Sequence, residues 1–182
     1  MTGPAPGVSL PAWAQAGESR REHIARVVEL LEVWARSLTV SPREAASWRD
    51  AGLWHDALRD APEPVLRELT GERATLPELL HGPAAAVMLQ RTGERRPDVL
   101  DAVRYHTIGY PEWARTGRAL YMADFLEPGR VFTDGEREGL AARVPLDFER
   151  AFREVVRLRL EWALRNRAPL FEQTVALWNR VR

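Results

Sequence analysis

Residues 53–60 read LWHDALRD, which sets an imidazole beside a carboxylate, His55 and Asp56, where a core helix would continue with aliphatic side chains. Burying that pair costs several kcal/mol unless both groups are hydrogen-bonded, ion-paired or bound to metal. Three other histidines, His23, His81 and His106, each stand at or near the end of a helical stretch, as does Asp124. Taken singly, each histidine reads most simply as a capping or surface residue; taken together they form a donor set of nitrogen and oxygen. Adjacent helix positions diverge by about 100°. His55 and Asp56 therefore converge on one object only if it is larger than a single ion or lies between their directions. A two-metal cluster meets that condition, with an aspartate bridging the cations and imidazoles completing each coordination sphere. Such ligation suits iron, manganese or another first-row divalent metal, and it recurs in phosphoryl chemistry.

The bulk composition narrows the choice. No cysteine is present, which excludes a disulfide framework and any thiolate metal site. At 182 residues, 45% hydrophobic and 29% charged, the chain has the size and balance of one soluble domain. No run of about 18 apolar residues is available to span a membrane. Its 26 basic residues, all arginine, are balanced by 26 acids and interleaved with them, which argues against general nucleic-acid binding but leaves room for a local arginine pocket for phosphate. The opening MTGPAPGVSLPAWAQAGESR lacks the basic and apolar regions of a signal peptide, so residues 1–17 are expected to be a flexible leader and the chain cytoplasmic.

The elements that must position the polar residues are all helical. In REHIARVVELLEVWARSL, Ile24, Val27, Val28, Leu31, Trp34 and Leu38 recur at three- and four-residue spacing, with His23 in the first turn. SPRE supplies a capping serine, Ser41, with Pro42 at the first helical position and Glu44 to close the box; this helix is expected to run through Trp48 and Leu53 into His55 and Asp56. A short helix between loops follows, then a helix expected from Pro83 to a stop at Gly93, with His81 just ahead of it. Two further helical stretches carry His106 and Asp124 near their ends. A long helix from about Asp147, with Phe148, Phe152, Val155, Val156, Leu160 and Leu164 on one face, and a terminal helix complete the chain. Period-two alternation and Asn-Gly turns are absent, so the fold expected is all-α, a single helical bundle over residues 18–182.

The blocks REHIARV, LWHDAL, LLHGPAA, VRYHTIG and YMADFLEPGR, in that order, closely resemble the HD-domain metal-dependent phosphohydrolases, and the last three look like their YqeK-like branch. A bare HD dipeptide is a weak signal; five blocks in order, over roughly residues 18–181, are a strong one. The resemblance implies an HD-domain bundle with the metals between central helices. One metal would be held by His23, His55, Asp56 and Asp124, and the second by His81 and His106 with Asp56 shared. It also implies symmetrical hydrolysis of diadenosine tetraphosphate to two ADP at a di-iron centre, with manganese or another first-row metal as the alternative. Where members of the branch commonly carry lysine three positions after the motif aspartate, this chain has Arg59.

The chemistry implied is hydrolytic: a bridging water, acidified by two cations, attacks phosphorus while metals and arginines take up the developing charge. His55 and Asp56 would be central to it, with Arg59 beside them. Arg59, Arg104 and Arg130 are the candidate phosphate contacts, and Gly82 and Thr107, which neighbour two of the ligands, are further candidate substrate contacts. Trp34, Trp48 and Trp54 read as core; Tyr110 and Trp113 are nearer the site but read first as anchors of their own loop. A dinucleoside polyphosphate is the expected partner, and a second copy of the chain is left open. The competing functions are a nucleotide phosphomonoesterase on the same metals and a catalytically weak nucleotide-binding regulatory module.

Overall fold

The computed structural model describes residues 9–73, 75–129 and 136–182. Helices α1 (Glu18–Ser37), α2 (Pro42–Trp54), α4 (His81–Arg91), α5 (Pro97–Tyr105) and α6 (Arg115–Leu126) form the centre of an all-helical bundle. The short α3 (Glu63–Thr70) and a 3₁₀ turn (Pro77–Leu79) precede α4, while α7 (Glu136–Arg143) and α8 (Phe148–Arg165) pack on α6 and α9 (Glu172–Val181) packs on α8. No strand occurs among the described residues, and no helix among them is long and apolar enough to cross a membrane.

The apolar stripe of α1 buries Ile24, Val27, Leu31 and Trp34, and His23 lies on that same stripe, so the helix that builds the core also drives an imidazole inward. α1 packs against α2. Their close approach depends on Gly52, where a Cβ would come within 2.6 Å of Leu31 Cδ1. Ser41 caps α2 by accepting from the Glu44 amide at 3.2 Å, and Asp147 caps α8 by accepting from the Arg150 amide at 3.0 Å. The larger apolar cluster joins α1, α2, α6 and α8; a second joins α4 and α5 around Leu80, Leu89 and Val103. Trp54, the residue before His55, touches both.

Three local features depart from the sequence expectation. α2 ends at Trp54, and residues 55–60 turn successively instead of continuing the helix. His55 Nδ1 takes the Gly52 carbonyl at 2.7 Å, the acceptor a continuing helix would offer to the Asp56 amide. α4 starts at His81 rather than at Pro83, since a proline within the first turn gives up an amide that has no helical partner there. α7 has no counterpart in the sequence expectation: it is two turns in which half the residues are charged, with one inward leucine, Leu140.

Residues 1–8 of the expected leader lie outside the described residues. The later part is laid along the turn that follows Asp56: Gln15 donates to the Ala57 carbonyl at 2.7 Å and accepts from the Asp60 amide at 3.2 Å. The Gly17 amide donates to Asp60 Oδ2 at 2.8 Å.

Candidate metal centre

Five side chains from four parts of the chain meet in two triads that share one residue. His23, His55 and Asp56 offer three ligand atoms within 4.8 Å of one another, and so do Asp56, His81 and His106. All five are buried. Asp56 Oδ1 lies 3.1 Å from His81 Nε2 and 3.4 Å from His106 Nε2, while Oδ2 lies 3.7 Å from both His23 Nε2 and His55 Nε2. The turn that releases His55 and Asp56 from α2 lets a single carboxylate face both sides. Asp124, in the last turn of α6, brings Oδ1 to 3.3 Å from His23 Nε2.

The outward ring nitrogens decide what the inward ones can do. His81 Nδ1 donates to the Glu78 carbonyl and His106 Nδ1 to the Val103 carbonyl, both at 2.8 Å. A carbonyl can only accept, so each Nδ1 carries the hydrogen and each neutral ring presents a bare Nε2. Those two nitrogens stand 3.1 Å apart and both face Asp56 Oδ1. Three acceptors so close repel unless a cation lies among them, and the Thr107 hydroxyl, 3.2 Å from His106 Nε2, has one hydrogen to give. Burial pushes His81 below the ordinary imidazole value and His55 down to about 4, which disfavours filling the gap with protons. The residues therefore fit a metal. The same pattern recurs in the first triad, where His55 Nδ1 is fixed by Gly52 and His23 Nδ1 by Glu127 Oε1 at 3.1 Å, with the two Nε2 atoms 3.2 Å apart.

Carboxylates set the charge. Burial works to raise the Asp56 pKa, but positive charge at the facing imidazoles, His55 first and then His106 and His81, draws it well below the usual carboxylate range; with those rings neutral, a cation has to supply that charge. Burial likewise opposes ionisation of Glu127, yet His23, Arg26 and the Gly129 amide bring it down to about 2. His23 is pulled down by burial and pushed up more strongly by Asp124 and Glu127, ending above its ordinary value. Arg20 Nη1 also reaches Asp56 Oδ2, at 2.6 Å.

The HD domain pattern matches residues 20–137, which include every one of these residues. The chain belongs to the HD-domain family. Within it, the protein is related to the symmetrical bis(5'-nucleosyl)-tetraphosphatases. It is 28% identical to that of Bacillus subtilis (strain 168) over 137 residues, 71% of this chain and 73% of the relative. It is 26% identical to that of Halalkalibacterium halodurans over 172 residues, covering 90% and 89%. A solved structure of a predicted HD superfamily hydrolase involved in NAD metabolism, from Clostridium acetobutylicum, superposes with a TM-score of 0.77 at 26% identity, covering 91% of this chain and 89% of that one.

Beside the candidate metal ligands this HD-domain hydrolase has a cleft of about 470 Å³, lined among others by Arg59, Thr107, Tyr121, Asp124, Arg159 and Phe171. Arg59 and Thr107 thus face it, as candidate substrate contacts should. The Arg59 guanidinium makes no hydrogen bond or ion pair among the described residues and is close enough to His81 to depress its pKa. Arg104 is elsewhere, in the last turn of α5 with its charge near Asp101. Gly82 is buried behind the ligands instead of lining the cleft: a Cβ there would meet the Val103 carbonyl at 2.8 Å and His106 Cε1 at 3.1 Å, so its bareness serves the approach of α4 to α5. Arg130 lies outside the described residues. Trp113 donates to the Asp101 carbonyl at 3.0 Å and Tyr110 stacks on Tyr105, which ties both to α5.

Sequence reasoning missed Arg159 and Arg137. Arg159 follows Val155 and Val156 by four and three residues, so a cation stands on the buried stripe of α8, and that was a usable signal. It also missed the aromatic wall of Phe125, Trp162 and Phe171.

Proposed function

We propose that this HD-domain hydrolase cleaves diadenosine tetraphosphate symmetrically into two ADP. The observation that carries the reading is the pair of triads sharing Asp56 at the mouth of a cleft lined by Arg59, an arginine with no ion pair among the described residues. Relatives named for that reaction support it. His23, His55, Asp56 and Asp124 would hold one cation, and His81, His106 and Asp56 the other. Iron is the first assignment and manganese the next, because imidazole and carboxylate donors suit first-row metals. When bound, the pair supplies an acidified water and positive charge beside the transferring phosphoryl group.

The protein's own part is positional. Carbonyls of Gly52, Glu78 and Val103, with the Glu127 carboxylate, lock the four rings so that every Nε2 faces inward. Arg59 offers five donors to a phosphate without first breaking an ion pair to any described residue, and this pre-formed charge costs no reorganisation as the oxygens become more negative. The aromatic side of the cleft includes Trp162 and Phe171, rings on which an adenine can stack, while Arg137 lies over Phe125 at 4.0 Å.

The test is product analysis with protein reconstituted anaerobically with iron, and separately with manganese. Two equivalents of ADP per dinucleotide are expected. Release of ATP plus AMP, or orthophosphate from nucleoside monophosphates with the dinucleotide untouched, overturns the assignment; tight binding without turnover in either metal establishes a binding module instead.

A further inference from the structure

Arg159 reaches the cleft from α8, an element outside the matched HD pattern, and its surroundings fix it in one place. Its guanidinium carbon lies 4.0 Å from the centre of the Tyr121 ring. Nη2 donates to the Thr107 carbonyl at 3.2 Å, and Nη1 is 3.4 Å from the Tyr121 carbonyl and 3.5 Å from Asp124 Oδ2. These contacts join α8, α6 and the loop after α5 at the metal-facing end of the cleft. All three polar distances are at the long end of hydrogen bonding. The guanidinium is thus oriented without its donor capacity being spent on a short bond, as a cation awaiting an anion would be. Charge-assisted bonds to phosphate form at about 2.7–2.9 Å and are much stronger than these.

We propose that Arg159 is the specificity-determining contact that makes the cleft prefer nucleoside diphosphates and longer polyphosphates over monophosphates, by pairing with a phosphate beyond the one held at the metals. This rests on the function proposed above and adds to it. Arg159 flanks the Asp124 side of the metal cluster while Arg59 acts on the His81 side, so the two cations bracket the ligands and a chain of phosphates can meet both. A monophosphate engaged at the metals leaves the second cation unused. A planar fork fixed by stacking loses little entropy on binding, which favours it as a selective contact. The competing role is structural: Arg159 offsets the Asp124 charge and ties α8 to α6. That role predicts changes in melting temperature and metal content, with no dependence on phosphate number.

The experiment measures equilibrium binding of ADP and AMP by calorimetry to the full chain loaded with manganese. Wild type is compared with R159Q, which keeps most of the side-chain bulk, and with R159K, which keeps the charge; metal content and melting temperature are recorded for each. Wild type should bind ADP more tightly than AMP. R159Q should weaken ADP by roughly 10- to 100-fold and AMP by less than about threefold, at unchanged metal content, with R159K recovering part of the loss. An ADP-to-AMP affinity ratio equal to wild type in R159Q overturns the proposal, whatever happens to stability. If wild type cleaves the dinucleotide and binds both nucleotides but that ratio does not move, only the assignment of Arg159 fails. A metal-loaded wild type that binds neither nucleotide removes the proposed function and this inference together.

Discussion

Asp56 is the single atom group common to both candidate metal positions, so neutralising it should empty both. In Asp56→Asn one terminal oxygen becomes an amide, which cannot ligate as the carboxylate does. Placed where Oδ1 stands, 3.1 Å from His81 Nε2 and 3.4 Å from His106 Nε2, that amide would donate to the lone pairs a metal needs. Metal at about 100 times its dissociation constant stabilises the native state by about 2.7 kcal/mol per site. For a chain of this length each kcal/mol moves the melting temperature by about 2–4 °C. Chelation should therefore lower wild-type Tm by roughly 5–11 °C per site emptied. D56N should shift by less than about 2 °C, carry under one ion per chain, and lose turnover by orders of magnitude. The assay is thermal unfolding with and without chelator, paired with metal analysis and dinucleotide hydrolysis. Asp60 is the control. It is exposed and accepts from the Gly17 amide at 2.8 Å, so D60N should keep metal and most activity. A D56N protein that binds two ions and shows the wild-type chelator shift would refute the bridging role.

Three further outcomes can be checked with ordinary variants. G82A drives a methyl into the Val103 carbonyl, the same carbonyl that orients His106, so unfolding should become easier by about 1–3 kcal/mol and binding of one ion should weaken; an unchanged melting curve at full metal content contradicts this. R59A should lower kcat/KM by roughly 10- to 1,000-fold at constant metal content, with R59K recovering much of it, whereas a change under about threefold marks a surface charge. Glu94 is held down to about 2, chiefly by its hydrogen bond from Arg96 and against the opposing effect of burial. A depressed carboxylate stabilises the fold above its unfolded value and loses that contribution as pH falls through the folded one. E94Q should therefore be less stable than wild type at pH 7 by up to about 1 kcal/mol, and urea titrations should show the gap closing between about pH 5 and pH 2; a gap independent of pH counts against the ion pair.

The helical character of the chain was legible because stripes such as Ile24, Val27, Leu31 and Trp34 have a period that only one backbone geometry satisfies. The ligand candidates were legible for a different reason: with four histidines and no cysteine, there were few side chains from which to build a nitrogen-and-oxygen site. What sequence could not supply was the separation of one arginine from another. Arg59, Arg104 and Arg159 are chemically identical in the chain, and all three can be placed on helices near a ligand. Packing of α8 against α6 put Arg159 over Tyr121, the turn after Trp54 sent Arg59 to the cleft, and α5 left Arg104 beside Asp101. Gly82 shows the same limit from the other side, since a missing side chain beside a ligand reads equally well as room for substrate or room for a neighbouring helix. Residue type sets which interactions are available; which are made depends on distances between segments far apart in the chain, and a few ångströms decide whether a charge meets a ligand, a carboxylate or water.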